Sequence, residues 1–459
     1  SMDRAPAKGN VFRRRVRAPD PWTRVMTENA TDRSLTRQDA KTLALASLGG
    51  ALEFYDFIIY VFFAVTISNL FFPADMPKWL GDLQTYGIFA AGYLARPLGG
   101  IIMAHFGDKT GRKRMFTLSI LMMAVPTLLI GLMPTYASIG YAAPVLLLVM
   151  RVFQGAAIGG EAPGAWVFVA EHVPANRVGL ACGLLTGGLT GGILLGSLMA
   201  TAINLAYTQA EILDWAWRLP FVVGGIFGLI AMYLRRWLHE TPVFEAMRAR
   251  KAVVREMPLK QVLRGHGASV AVSMAVTWML TAAIVVVILL TPSLMQRLHG
   301  IPATTTLIGS SLATLTLTIC AVLVGVLLDR FNTVMVTLVG TVLLIAATYA
   351  LYVGTAANPD NLVPLYAVAG ATVGIINVVP YVMVRAFPGE VRFTGVSFSY
   401  NVAYAVFGGL TPMAVGTLAG FNAMGPAHYV ALVVVIGLIA VVANGMRRAA
   451  VYAPPVAAE

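Results

Sequence analysis

The sequence predicts an all-α polytopic membrane protein, with twelve transmembrane helices in two pseudo-symmetric six-helix bundles. Hydrophobic residues make up 58% of the 459 residues and charged residues only 12%, whereas a soluble domain carries roughly 25% charged residues. A soluble core could not bury that much apolar surface, so lipid is the expected solvent. The number of apolar runs predicts the number of helices, and a weak internal repeat predicts that they are divided into two bundles.

Twelve apolar stretches approach or exceed the roughly 20 residues that a bilayer-spanning helix needs. They lie approximately at 43–71, 82–106, 115–133, 140–172, 179–205, 216–237, 267–291, 303–328, 334–355, 362–387, 394–420 and 427–446. Lys and Arg concentrate in alternate connections, such as 109–114 and 235–264. This positive-inside bias predicts that both termini are cytoplasmic. The net charge of +12 therefore indicates topology rather than nucleic-acid binding.

The longest polar connection after the first run follows the sixth run, and a short motif recurs on either side of it. Asp108-Lys109 follows the second run and Asp329-Arg330 follows the eighth, a repetition typical of two-bundle membrane proteins. Met26, in the polar segment before the first apolar run, is an alternative translation start. The predicted segments are a tail 1–41, an N-terminal bundle 42–237, a linker 238–266, a C-terminal bundle 267–446 and a tail 447–459.

Ionisable side chains inside membrane spans are costly unless they are paired or hydrated, so each predicts a function. Span 1 holds Glu53 and Asp56, and Arg151 lies about twelve residues into span 4, which places Asp56 and Arg151 at a similar depth. The second half has no carboxylate inside a span. We therefore expect Asp56, Glu53 and then Glu161 to carry protons, with an anion at Arg151 favouring protonation nearby.

Polar residues recur on single faces of several apolar spans, which predicts a lined cavity. Hydrogen bonds between helices are an equally ordinary explanation for such residues. A guanidinium matches a carboxylate geometrically, so Arg151 is the expected anchor of an anion. The candidate substrate contacts are Arg151, Gln154, Tyr60, Tyr400, Asn401 and Asn377.

Five motifs resemble a known family. Gly107-Asp108-x-x-Gly111-Arg112-Lys113 resembles the signature loop of the major facilitator superfamily. The stretches 53–57, 96–100, 151–161 and 391–401 resemble the metabolite:proton symporters, whose members carry citrate, α-ketoglutarate, shikimate and proline or betaine. The likeness covers nearly all of 46–446 and implies the major facilitator fold. The motif residues expected to act in conformational change or structure are Gly107, Asp108, Gly111, Arg112, Arg96, Asp329, Arg330 and Arg392.

The resemblance implies proton-coupled uptake of a small organic anion, a carboxylate, by alternating access of the two bundles. The expected location is the bacterial cytoplasmic membrane, and the expected state is a monomer without metal, nucleic-acid partner or cofactor other than the coupling protons. A zwitterionic osmolyte such as proline or betaine is an alternative cargo. Proton-driven export is one alternative function, because the glycine-rich span 5 bears some likeness to that span in proton-driven exporters. A receptor or a channel is another alternative. An enzyme is not expected, because no phosphate-binding Gly-Lys-Ser/Thr loop or metal-ligand cluster occurs.

Overall fold

The computed structural model describes residues 34–110, 112–159, 161–235, 258–388 and 391–452. Every regular element in these ranges is a helix. Ten helical segments there are long and apolar enough to cross a membrane. Helices Lys78–Thr110 and Arg112–Leu132 coincide with the second and third predicted spans, so all twelve predicted spans are helical.

The helix bounds follow the predicted apolar runs with small differences. They are Arg37–Phe62 with Ala64–Phe71 (span 1), Lys78–Thr110 (span 2), Arg112–Leu132 (span 3), Ala142–Ile158 with Glu161–His172 (span 4), Val178–Ala206 (span 5), Leu219–Arg235 (span 6), Gly267–Thr281, Ala282–Leu290 and Thr291–His299 (span 7), Ala303–Arg330 (span 8), Thr333–Ala357 (span 9), Leu362–Val373, Gly374–Asn377 and Val378–Ala386 (span 10), Arg392–Ala403, Tyr404–Gly408 and Gly409–Phe421 (span 11) and Gly425–Tyr452 (span 12). We call the side of the bundle that holds the start of spans 1 and 5 and the end of span 8 the terminal side.

Span 1 begins earlier than its apolar run, inside the segment predicted as a tail. Thr36 accepts a hydrogen bond from the backbone N–H of Asp39, and the Asp39 carboxylate accepts one from the backbone N–H of Thr36. This reciprocal capping box satisfies two backbone donors that the helix leaves open. The helix therefore starts at Arg37.

A second helix, Pro258–Gly265, lies within the predicted linker.

Three spans depart from regular α-helix near their middle. Spans 7 and 11 contain π-helical segments, Ala282–Leu290 and Tyr404–Gly408, and span 10 contains a 3₁₀ segment, Gly374–Asn377. Such segments re-aim side chains and are frequent at functional sites. Three of the predicted site residues lie in or just before these irregular segments: Asn377, Tyr400 and Asn401.

Spans 2 and 4 pack with their backbones in close contact because glycines face each other. A methyl group at Gly155 would overlap the carbonyl group of Gly92, and one at Gly159 would overlap the carbonyl group of Arg96. Small residues at such contacts allow the dense packing that drives helix association in lipid. This contact fixes the height of Arg96 on span 2 relative to Arg151 on span 4.

The two halves meet along spans 5 and 8 and along spans 2 and 11. Gly179 and Gly325 are in close backbone contact on the terminal side, and Ser197 hydrogen-bonds Ser311 at 2.8 Å toward the other side. The contact between spans 5 and 8 thus extends over most of their length. The outward faces are apolar: Leu98 and Ile439 are 63% and 61% exposed, as expected of surfaces that face lipid.

Candidate functional site

Arg151 lies in the centre of the N-terminal half with no carboxylate partner among the described residues. It is fully buried. Its Nη1 donates to the Phe57 carbonyl at 3.0 Å and to Gln154 Oε1 at 2.9 Å. Its Nε and Nη2 have no hydrogen-bond partner. The guanidinium carbon lies 4.3 Å from the ring centre of Phe57 and 4.5 Å from that of Tyr60. Cation–π contacts of this kind offset part of the cost of burying the charge.

Asp56 does not pair with Arg151, contrary to the close link expected from their similar depth. Asp56 is 1% exposed, and neither of its carboxylate oxygens has a hydrogen-bond partner in the described part of the chain. A methyl group at Gly224 would lie 2.7 Å from one of these oxygens and one at Gly228 would lie 3.3 Å from the other. The carboxylate therefore faces span 6, on a different side of span 1 from the guanidinium.

A chain of polar groups nevertheless connects Arg151 with the surroundings of Asp56. Gln154 accepts from Arg151, and its Nε2 donates to Thr127 Oγ1 at 2.7 Å. The Thr127 methyl group and the Asp56 carboxylate lie on the same side of span 6: a methyl group added at Gly224 would be 2.8 Å from the first and 2.7 Å from the second. Sequence reasoning missed Thr127, although it is a polar residue beside a proline in an apolar run. Thr127 thus lies between the hydrogen-bonded pair of Arg151 and Gln154 and the Asp56 carboxylate.

Glu53 lies one turn from Asp56 and in a different environment. It is 3% exposed and lines a small pocket between span 1 and spans 4 and 5, with Ile158, Ala162 and Leu189 among the other wall residues. The stripe of span 1 predicted from helical spacing is therefore divided among three directions. Glu53 faces spans 4 and 5, Asp56 faces span 6, and Tyr60 faces Arg151 and donates its hydroxyl to the Thr85 carbonyl at 3.1 Å.

Arg96, predicted to act in conformational change or structure, lies between the two halves among tyrosines. It is 1% exposed. Its guanidinium carbon is 5.5 Å from the ring centre of Tyr93 on span 2, and 5.3 and 4.4 Å from those of Tyr400 and Tyr404 on span 11. The predicted substrate contact Tyr400 also packs edge-on against Trp166 of span 4, at 5.0 Å between ring centres. Sequence reasoning missed this cage because its tyrosines come from two spans in different halves.

The two predicted asparagine contacts both bridge the halves in this conformation. Asn377 accepts from Thr186 of span 5 at 3.1 Å and donates to the Gly179 carbonyl at 3.3 Å. Asn401 of span 11 donates to the Gly159 carbonyl of span 4. With Arg151 and Arg96 buried as well, the conformation is closed around these residues.

The terminal side is held closed by contacts that include two of the predicted motif residues. Asp329, at the end of span 8, accepts from the backbone N–H groups of Gly179 at 2.7 Å and Leu180 at 2.8 Å. It thereby caps the first turn of span 5, where a carboxylate is stabilised by the helix dipole. Arg392 forms an ion pair with Glu171 at 3.1 Å, whereas Arg330 is exposed.

Several predicted residues are not placed in detail. Gly111 lies outside the described residues, as do the side chains of Asp108, Arg112 and Glu161. Gly107 belongs to the described helix of span 2. The alternative start Met26, with the rest of 1–33, lies outside the described residues too.

The fold and these positions can now be compared with known proteins. Residues 57–412 match the family model of the Major Facilitator Superfamily. The chain belongs to the major facilitator superfamily. It is therefore a multi-pass membrane transporter rather than an enzyme. The family assignment confirms the resemblance found in the motifs.

Named relatives of this major facilitator include two transporters of Escherichia coli (strain K12). The shikimate transporter is 31% identical over 88% of this chain and 94% of its own length. The proline/betaine transporter is 31% identical over 87% of this chain and 82% of its own length. Among solved structures, the proton:xylose symporter XylE bound to 6-bromo-6-deoxy-D-glucose matches with a TM-score of 0.72 at 15% identity, over 89% of this chain and 95% of that one. The last comparison supports the fold.

Removal of the Asp329 carboxylate should open the terminal side. A lost helix cap costs about 1 kcal/mol, which corresponds to roughly a fivefold rise in the open population. Cys182 of span 5 is fully buried one turn from Gly179, and so reports this opening. In a Cys320→Ser background, we expect Asp329→Ala to label with maleimide several times faster than the parent. The control is Asp360→Ala, which removes an exposed carboxylate between spans 9 and 10. Equal labelling rates of Cys182 in both variants would contradict the capping role of Asp329.

Proposed function

We propose that this major facilitator takes up a small carboxylate together with protons across the bacterial cytoplasmic membrane, by alternating access of its two halves. The observation that carries the proposal is the buried guanidinium of Arg151, whose Nε and Nη2 have no hydrogen-bond partner among the described residues. A buried charge without a counter-ion is strongly unfavourable. A cargo carboxylate would supply both missing acceptors in one bidentate contact.

The proposed proton carrier is Asp56. Its carboxylate is buried without a hydrogen-bond partner in the described part of the chain, and a carboxylate can take up and release a proton. Cargo bound to Nε and Nη2 of Arg151 would draw the guanidinium toward it and shift Gln154, which accepts from Nη1. The rearrangement would reach Asp56 through Thr127, which gives a physical route for coupling without direct contact between the two charges.

The charge distribution and the cargo of named relatives support two parts of this proposal, the orientation in the membrane and the carboxylate cargo. The terminal side is proposed to be cytoplasmic, because the connections on that side carry the excess of Lys and Arg. A monomer in which each half contributes to one chamber is the simplest assembly. The relatives named for shikimate and for proline or betaine transport move molecules that each bear a carboxylate.

A zwitterionic cargo is the second candidate, and the aromatic walls favour it. Phe57, Tyr60 and Phe89 surround Arg151, and three tyrosines surround Arg96. Aromatic walls of this type also hold quaternary ammonium groups. A betaine would then place its carboxylate at a guanidinium and its ammonium group against the rings.

A binding panel on purified protein tests the proposal, because a ligand that binds the folded state raises its thermal stability. The probes are shikimate, succinate, benzoate, proline and glycine betaine, with succinamide as an uncharged control. We expect at least one carboxylate to stabilise the protein and succinamide to have no effect. Stabilisation by betaine and proline alone would select the zwitterionic cargo, and no stabilisation by any probe would contradict both.

Arg151→Gln should weaken binding of the stabilising carboxylate by roughly 10- to 100-fold, because hydrogen bonds to charged groups contribute about 1.5–3 kcal/mol. Isothermal titration measures the change. Arg297→Gln removes a positive charge from an exposed position after span 7 and should bind like wild type. Equal affinities for the two variants would remove Arg151 from the site.

Transport direction is tested in proteoliposomes with an imposed inward proton gradient. A symporter accumulates the carboxylate under this gradient, whereas a proton-driven exporter of the same cargo would expel it. A channel would equilibrate the cargo without accumulation. Accumulation that does not depend on the gradient would contradict proton coupling.

A further inference from the structure

Arg96 is a second buried guanidinium that the mechanism above does not use. In the described part of the chain its Nε and Nη2 have no hydrogen-bond partner, and no carboxylate forms an ion pair with it. Its compensation comes from cation–π contacts with three tyrosine rings and from a hydrogen bond with the side chain of Tyr400. Such contacts recover only part of the hydration that an arginine loses on burial. The closed conformation therefore leaves this group with unmet hydrogen-bonding capacity.

The position of Arg96 relative to Arg151 follows from the contact of spans 2 and 4. A methyl group at Gly92 would lie 3.2 Å from the Arg151 carbonyl oxygen, and Arg96 follows Gly92 by one helical turn. Arg96 thus lies about 6 Å nearer to the terminal side. The two guanidiniums are joined through rings: Phe57 beneath Arg151 packs edge-on against Tyr93 at 5.2 Å, and Tyr93 lies beside Arg96.

The cage around Arg96 is built from both halves of the transporter. Tyr93 belongs to span 2, whereas Tyr400 and Tyr404 belong to span 11, and the rings of Tyr93 and Tyr404 stack at 5.2 Å between their centres. Separation of spans 2 and 11 would remove Tyr400 and Tyr404 from the guanidinium. Arg96 would then lose most of its cation–π compensation and face the gap between the halves.

We propose that Arg96 is a second cargo-binding residue, which exchanges the tyrosines of span 11 for the cargo carboxylate when the halves separate. In the closed conformation the tyrosines occupy the guanidinium that the cargo would bind. Because Arg96 lies on the terminal side of Arg151, cargo that leaves Arg151 toward that side reaches Arg96 next. This inference rests on the proposed function, since it requires a carboxylate cargo.

This competition between the tyrosines and the cargo leads to a prediction that would not hold if Arg96 had only a structural role. If Tyr404 holds Arg96 in the closed conformation, Tyr404→Leu frees the guanidinium and raises the fraction of protein that is competent to bind, so the apparent affinity rises. We expect carboxylate binding to tighten about fivefold in Tyr404→Leu, which is within the energy range of a desolvated cation–π contact. Arg96→Gln should weaken binding by about tenfold or more. Arg96→Lys keeps the charge without the bidentate geometry and should fall between wild type and Arg96→Gln.

The measurement is isothermal titration of the purified full-length protein with shikimate, succinate and benzoate, with Arg297→Gln as the charge-matched control. Affinities of Arg96→Gln within twofold of wild type, or unchanged or weaker binding by Tyr404→Leu, would overturn the inference and leave the proposed function intact. Wild-type protein that binds none of the three carboxylates would instead overturn the proposed function. If Arg96→Gln does not fold, Arg96→Lys and Tyr404→Leu decide the matter.

Discussion

Replacement of Asp56 by Asn is expected to abolish accumulation of the cargo driven by a proton gradient while exchange of cargo across the membrane continues. Asn has nearly the same size as Asp but cannot gain or lose a proton, and the carboxylate it replaces is 1% exposed. A gradient of one pH unit can support about tenfold accumulation for each proton carried. In proteoliposomes the accumulation ratio should fall from about tenfold to about one, whereas counterflow of labelled cargo should stay near the wild-type rate.

The matched control is Asp360→Asn, which removes an exposed carboxylate between spans 9 and 10. This variant should accumulate cargo as wild type does. Accumulation by Asp56→Asn that still follows the pH gradient would remove Asp56 from proton transfer and make Glu53 the next residue to examine. Loss of both accumulation and counterflow would indicate instead that Asp56 is needed for the movement of the halves.

Gly155→Ala is expected to have the largest effect on stability. The added methyl group would overlap the Gly92 carbonyl on span 2, and backbone atoms cannot move aside as a flexible side chain can. Overpacking of a dense core usually costs about 1–3 kcal/mol, and more where the backbone itself must shift. We expect the melting temperature in detergent to fall by several degrees and cargo binding at the neighbouring Arg151 to weaken.

Gly191→Ala is the control for Gly155→Ala. Gly191 is also a helical glycine, in span 5, but nothing lies within 4 Å of the methyl group that alanine would add there. Alanine favours a helix over glycine by up to about 1 kcal/mol, so the melting temperature should be unchanged or slightly higher. A Gly155→Ala protein that melts like Gly191→Ala would show that spans 2 and 4 are free to separate.

The sequence located the spans because the lipid environment imposes a simple rule on composition. A helix in hydrocarbon must be apolar over about 20 residues, and this requirement is visible without any tertiary contact. It predicted all twelve spans. The same rule made Asp56 and Arg151 conspicuous, since few charges interrupt the apolar runs. Capping chemistry is also local, although the start of span 1 at Arg37 shows that an apolar run alone places the helix end too late.

The contacts between side chains could not be predicted in the same way. Helical spacing placed Glu53 and Asp56 on one stripe of span 1, but the neighbours of that stripe depend on how spans 4, 5 and 6 pack against it. The glycines of spans 2 and 4 set that packing through backbone contact, which residue spacing within one helix cannot reveal. For the same reason the tyrosines of the other half that surround Arg96 could not be predicted from its own span.

By itself, then, the sequence determined the membrane class, the twelve helices and the short set of buried charges, because each follows from the cost of placing polar groups in lipid. Only the tertiary structure decided which charges meet. It separates Asp56 from Arg151, links Arg151 to Gln154 and Thr127 by hydrogen bonds, and encloses Arg96 between the halves. The physical reason is that partners in a helical bundle are selected by close packing between distant segments, whereas hydrophobicity is a property of each segment alone.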